Sequence, residues 1–173
     1  MGFDSFIAAN NNVGKASNTC VYTKAGNKFV TYKTDADGVT TKYSNGLFKD
    51  AEAISTFEAV SDGTVVEYNC SSQCKVAEYK TDENGITNKY DVTGKKSDDI
   101  WWKTSPDGVT KEYNKAGEVV RTYKPTTDGV AEYNKLGNKI STYKECSDKE
   151  ANDNCNIENN KSSFTDWFNN VIK

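Results

Sequence analysis

The stretch from Thr104 to Lys144 is one phrase written twice: TSPDGVTKEYNKAGEVVRTYK, 21 residues long, runs straight into the 20-residue near-copy PTTDGVAEYNKLGNKISTYK. Each copy has two halves. Asp-Gly-Val (Asp107, Gly108, Val109; Asp128, Gly129, Val130) leads into a run ending at Tyr113 or Tyr133, and Asn-Lys-x-Gly (Asn114 to Gly117; Asn134 to Gly137) leads into a run ending Thr-Tyr-Lys. Asp-Gly and x-Gly steps supply the positive φ of tight hairpin turns, which glycine accepts without steric cost. Between the turns Val119, Arg121 and Tyr123 fall on one face of a strand and Val120, Thr122 and Lys124 on the other. One hairpin alone is marginal in water, so the units must support one another as repeat arrays do.

Diverged copies of the same phrase precede it. CVYTKAGNKFVTYK (Cys20 to Lys33) matches the second half; TDADGVTTKY and the longer SNGLFKDAEAISTFE make the next unit, with a bulge or brief helical turn expected around Asp50 to Ala53. In the next unit Cys70-Ser-Ser-Gln-Cys74 stands where glycine stands elsewhere, and in the one after it Trp101-Trp102 replaces Thr-Tyr. The turn glycines and the Cys70 to Cys74 loop predict about eleven strands with a period of about 20–25 residues. Strands joined in sequence by tight turns are antiparallel neighbours, so the expected fold is all-β: an antiparallel meander of stacked β-hairpin repeats, unclosed, with short helical segments at its ends. The expected divisions are an N-terminal arm at 1–19, the repeat domain at 20–145, and a C-terminal disulfide loop and short amphipathic helix at 146–173.

Both ends leave the repeat. Phe3, Phe6 and Ile7 share one face of a short helix, in an opening that lacks the basic and long apolar regions of a signal peptide. Near the other end Ser162 or Ser163 caps a helix with Phe164, Trp167, Phe168 and Val171 on one face. These stripes either cover the sheet or form a subunit interface.

Composition narrows the chemistry. Only 35% of residues are hydrophobic, yet 12% are aromatic, which fits a sheet covered by Tyr rings and Lys stems rather than a thick aliphatic core. With 22 basic against 25 acidic residues and Arg121 the sole arginine, nucleic acid is not an expected partner. No apolar run is long enough for a membrane-spanning helix. The chain has no histidine, which removes Ser-His-Asp and Cys-His catalysis and His-ligated metal. Carboxylate chemistry remains open, but no acidic pair looks buried, and Asp35 to Gly38 and Asp82 to Gly85 read as turns rather than calcium loops. The chain is thus expected to be no enzyme, and to hold neither metal nor cofactor.

Five cysteines fall as two short-range pairs, Cys70 with Cys74 and Cys146 with Cys155, and a single Cys20. Disulfides closing polar loops are expected, with Cys20 bridging to Cys146 or Cys155 as the alternative, and they imply an oxidising location, extracellular or at the cell surface. The tyrosine ladder reads first as cross-strand packing. Trp101 and Trp102, adjacent and so facing opposite sides, are the candidate aromatic binding face. Asn69 and Asn160 begin glycosylation sequons.

The segment GVTKEYNKAGEVVRTYKPTTDGVAEYNKLGNKISTYK resembles the YD (Rhs-type) repeat, with Asn114 and Asn134 where that family usually has Asp, and Glu118 and Asn138 where it has Arg. The resemblance implies hairpins built into a spiralling β-sheet, in shells around toxin cargo or in extracellular adhesion proteins. The Lys/Glu/Thr-rich strands also look like the single-layer sheet of spirochaete outer-surface lipoproteins. The function expected is that of a non-enzymatic, secreted or surface-exposed structural protein, a filament or fibre subunit whose partner is a second copy of itself, assembled through Phe3, Phe6, Ile7, Phe164, Trp167 and Phe168. The alternatives are an adhesion module binding a glycan or host surface protein through Trp101 and Trp102, and a small toxin-associated repeat protein.

Overall fold

A computed structural model describes residues 16–45, 51–60 and 63–152. Twelve antiparallel strands follow one another, grouped here as six hairpins: β1 (Ser17–Thr23) with β2 (Lys28–Thr34), β3 (Thr40–Ser44) with β4 (Glu52–Ala59), β5 (Thr64–Asn69) with β6 (Lys75–Thr81), β7 (Ile86–Tyr90) with β8 (Lys96–Thr104), β9 (Thr110–Asn114) with β10 (Val119–Thr126), and β11 (Gly129–Asn134) with β12 (Lys139–Glu145). The meander is as expected, with twelve strands rather than about eleven. It is not an open stack: β1 pairs with β12 from Thr19↔Glu145 to Thr23↔Ser141, and the sheet closes into a barrel.

The turns are built alike. In each of the sequences Asp35 to Gly38, Asp82 to Gly85, Asp91 to Gly94, Asn114 to Gly117 and Asn134 to Gly137, the first residue accepts backbone N–H groups on its side-chain oxygen, and the glycine takes positive φ. The signature is therefore Asx-x-x-Gly, with the polar residue three places before the glycine as its anchor. Gly129 differs. At φ 140° it opens β11 after a two-residue turn, and a Cβ there would lie 2.0 Å from the Tyr143 carbonyl oxygen.

Register puts one residue type after another on the inner face. Each second strand of a hairpin sends in an aromatic ring: Tyr32, Phe57, Tyr79, Trp102, Tyr123 and Tyr143. Each first strand sends in the residue before its tyrosine, namely Val21, Lys42, Glu67, Lys89, Glu112 or Glu132, and leaves the tyrosine itself half-buried outside. Eight strands make a barrel that ordinary side chains just fill, and twelve make a wider one. Large rings and long charged chains fill this one, which is why so little aliphatic residue is needed. Outside, Lys33, Lys80 and Lys124 lie over the rings of Tyr43, Tyr90 and Tyr133, and Trp101 stacks on Tyr113 with centroids 4.1 Å apart. Trp102 is fully buried in the interior, so the two tryptophans do not form one binding face.

A bulge recurs just after the mouth-side turn of the hairpins. One residue of the second strand is skipped in the register at Phe29, Ile54, Val76, Val120 and Ile140, and β8 is shifted further. A skipped residue moves the positions before it to the other face. Val119 accordingly pairs with the outward Tyr113 instead of sharing a face with Arg121 and Tyr123.

Cysteine pairing follows from closure. Cys20 and Cys146 are bonded, with Cα atoms 5.9 Å apart, because β12 returns beside β1. Cys70 and Cys74, expected to pair, are free; the Cys70 N–H is drawn to Ile54 on the neighbouring strand and Cys74 Sγ turns to the Ser72 carbonyl. Cys155, with Asn160 and the terminal stripes at Phe3, Phe6, Ile7, Phe164, Trp167 and Phe168, lies outside the described residues. Where a loop was expected, Asp148–Asn152 forms a short helix, α1. Ser147 and Glu150 close it reciprocally as a capping box, and the Ser147 N–H holds the Glu150 carboxyl below its ordinary range. Ala151 covers the disulfide from outside, and Lys28 and Lys33 bond to Glu150 and Asn152.

Two outcomes test this account. Replacing Cys20 and Cys146 with Ser should lower stability in urea by about 2–4 kcal/mol, as expected for a bridge closing a long loop. Gly129→Ala should cost more than about 2 kcal/mol, since both φ and the Tyr143 carbonyl oppose a Cβ.

Candidate functional site

The two ends of the barrel differ. One end, the mouth, carries the turns within the six hairpins; the other carries the turns between them and both ends of the described chain. Among the described residues, the large hydrophobic side chains that stand exposed are Phe29, Ile54, Val76, Val92, Leu136 and Val60. All but Val60 lie at the mouth, three of them at bulge positions and two in turns, with Leu136 75% exposed. A bulge turns the skipped residue out of the alternation, and so sets an apolar rim on an otherwise polar barrel.

Below the rim the interior divides into two halves. Phe57, Val65, Ala77, Tyr79 and Trp102 pack tightly on one side. On the other, between β10–β12 and β1–β3, a cavity of about 270 Å³ runs from Phe29 and Ile140 down to Tyr32, Tyr123 and Tyr143. Lys42, Arg121, Glu132 and Ser141 also line it. Arg121 is the chain's only arginine, and although it faces inward its side chain is 47% exposed.

Three glutamates are buried against this interior, Glu112 and Glu132 as neighbours, contrary to the expectation that no acidic pair was buried. Glu67 accepts from Ser55 at 3.0 Å and Tyr79 at 2.8 Å. Glu112 accepts from Trp102 Nε1 and Tyr123 Oη, each at 3.1 Å, and Glu132 from Ser141 Oγ and Tyr143 Oη. Arg121 bridges the last two, 2.8 Å from Glu132 and 4.0 Å from Glu112. Both carboxylate oxygens of Glu132 and Oε2 of Glu112 accept hydrogen bonds, while Oε1 of Glu112 faces Arg121 only at ion-pair distance, so the two glutamates, their donors and Arg121 form one connected network. Burial opposes the charge on Arg121, but Glu132, Tyr123 and Glu112 outweigh it and hold its pKa above the ordinary value. The signal was present in the sequence as Glu-Tyr and Lys-Tyr dipeptides: where the tyrosine faces out, the residue before it must face in. What no dipeptide shows is that neighbouring glutamates share one arginine.

Lys42 Nζ lies 5.7 Å from the centre of the Tyr32 ring, and Lys89 as far from that of Tyr79. Asn69, the sequon residue, spends its side-chain carbonyl on Ser71 and Ser72 in the mouth turn. Among the described residues no cluster of metal-ligating side chains occurs. Compared with protein-family models the chain matches none, and a search of curated proteins finds none similar to it.

Burial first, and then the charges of Glu112 and Glu132, push the Tyr123 hydroxyl far above its ordinary pKa of 10.0. In the unfolded chain that hydroxyl ionises near pH 10, so its contribution to stability is whole below pH 10 and is lost as pH rises beyond it. Tyr123→Phe should be less stable than the parent by about 1–2 kcal/mol at pH 7, through loss of the bond to Glu112. The gap should close by about 1.4 kcal/mol per pH unit above pH 10. Urea unfolding of both proteins between pH 7 and 11.5 reads this directly.

Proposed function

We propose that the protein is a non-enzymatic assembly protein, secreted or displayed at a cell surface, whose copies join head to tail. The observation that carries this reading is the polarity of the barrel. An apolar rim stands at the mouth, while β1 begins and β12 ends at the opposite end; Phe3, Phe6, Ile7, Phe164, Trp167 and Phe168 belong to the flanking sequence outside the described residues. A contact between unlike ends is heterologous, and unless its rotation closes a ring it propagates into a filament. Strand addition at a sheet edge is not the route, because β1 and β12 already pair and leave no edge. The Cys20–Cys146 bond supports an oxidising location. The likeness of Gly108 to Lys144 to extracellular YD repeats points the same way.

In this reading Val76→Asp with Leu136→Asp removes one side of the contact, and deleting Met1 to Asn12 or replacing Trp167 and Phe168 with Ala removes the other. Each variant should keep the parent's circular dichroism and melting temperature but sediment as a monomer where the parent sediments as polymers. Identical sedimentation of parent and variants would sink the reading.

A further inference from the structure

We propose that the outer wall of the barrel at β8 and β9 is a binding site for a sulfated sugar, one sulfate-bearing pyranose of a surface or matrix glycan, held by Lys103 and Lys111 beside Trp101. This goes beyond assembly and keeps only Trp101 of the expected Trp101–Trp102 face.

One unit departs from a packing rule that the others follow. The lysine after an inward ring points outward and folds over the outward tyrosine of the next strand: Lys33 over Tyr43, Lys80 over Tyr90 and Lys124 over Tyr133. Opposite those tyrosines stand Thr31, Glu78 and Thr122, which leave the ring to the lysine. Opposite Tyr113 stands Trp101, whose indole stacks on the phenol with the planes 7° apart. The place that Lys103 would take is therefore filled, and among the described residues Lys103 forms neither an ion pair nor a ring contact.

The position across from the lysine departs as well. Lys33, Lys80 and Lys124 face Thr41, Asn88 and Ala131, all uncharged, whereas Lys103 faces Lys111. Both lysines are exposed, and residues directly opposed hold their Cβ atoms about 5 Å apart, so two like charges meet where they destabilise the sheet. Asp107, which senses Lys111 from the preceding turn, is bonded to Ser105 Oγ and the Val109 N–H and forms no ion pair with it. An anion between the two ammonium groups would turn this repulsion into attraction.

The surroundings select which anion. Two ammonium groups, each with three N–H donors and no acceptor, suit an oxyanion with several terminal oxygens, as a sulfate ester has. Two residues along both strands, on the same face, the half-buried Trp101–Tyr113 stack offers the adjoining pyranose an aromatic surface for its C–H groups. The positive field is short, because Asp98 and Asp99 are exposed on β8, Asp107 lies in the turn below, and the whole chain carries a net charge of −3. A membrane plane or a nucleic-acid backbone would meet these acids together with the lysines, whereas a single sulfate meets the lysines alone.

The test titrates the unreduced full-length protein at low salt with galactose 6-sulfate, galactose and inorganic sulfate, following the Trp101 indole resonance. The sulfated sugar should saturate with a Kd of about 1 mM, inside the ligand-efficiency bound for a ligand of that size. Galactose should bind at least about tenfold more weakly for want of the charged group, and inorganic sulfate about fivefold more weakly for want of the ring. Lys103→Thr and Lys111→Thr should each weaken the sulfated sugar about tenfold, and Lys111→Thr should also melt higher than the parent at low salt, since the like-charge pair is gone. Trp101→Thr restores the residue that Thr122 represents in the later repeat and returns the Tyr113 ring to Lys103; it should weaken binding about tenfold although both lysines remain. The inference is overturned if the sulfated sugar shows no saturable binding, if inorganic sulfate binds as tightly, if the lysine variants bind unchanged, or if anionic phospholipid vesicles or single-stranded DNA bind more tightly through the same lysines. Because binding is read by titration and assembly by sedimentation, either can fail without the other.

Discussion

The backbone hydrogen bonds between β1 and β12 join the two ends of the repeat, and the rest of the molecule depends on them. Every other pairing in the barrel links strands that follow one another in the chain, so each costs only the ordering of a short turn. The β1–β12 seam alone must close the whole chain. Without it the ring of inward tyrosines and the buried glutamates would face water along two open edges. The protein reinforces this seam from outside: the Cys20–Cys146 bond spans it, α1 covers the bond, and Asn18 ties the first strand to Asp148.

A closed barrel of this width sets the second constraint, which is how to fill it. Rings with Val65 and Ala77 fill the half around Phe57, Tyr79 and Trp102, and Glu67 is bonded to Tyr79 there. In the other half, charged chains reach inward and must be satisfied there. A buried carboxylate that loses its partner costs several kcal/mol, so Tyr123, Trp102, Tyr143, Ser141 and Arg121 are held to their places by the glutamates they serve. Part of this network, Arg121, Tyr123, Glu132, Ser141 and Tyr143, lines the cavity.

The third constraint is the direction of the repeat. Because the turns within hairpins all lie at one end and the turns between them at the other, any feature tied to one turn type appears only at that end. The bulge after the mouth-side turns is such a feature, and its residue is apolar in Phe29, Ile54, Val76, Val120 and Ile140. Among the described residues, repetition therefore concentrates exposed apolar surface on one end, and β1 begins and β12 ends at the other. A polar object with unlike ends is what the assembly reading builds on.

Much of this was legible in the residues. The doubled phrase, the turn glycines and the two-residue alternation determined by themselves an antiparallel meander of hairpins, because turn geometry and strand periodicity are local properties. Alternation also placed Arg121 and Tyr123 on one face, and the S-x-x-E signal at Ser147 to Glu150 carried the helix that the expected loop left out. What only the tertiary structure decided was closure and its consequences: that β12 meets β1, that Cys20 bonds to Cys146 while Cys70 and Cys74 stay free, that Trp102 lies inside and Trp101 outside, and that Glu112 and Glu132 converge on Arg121. The physical reason is that a curved sheet and a flat one have the same turns and the same alternation. The bulges and the accumulated twist that bring the last strand back to the first add up over the whole array, and no single repeat contains them.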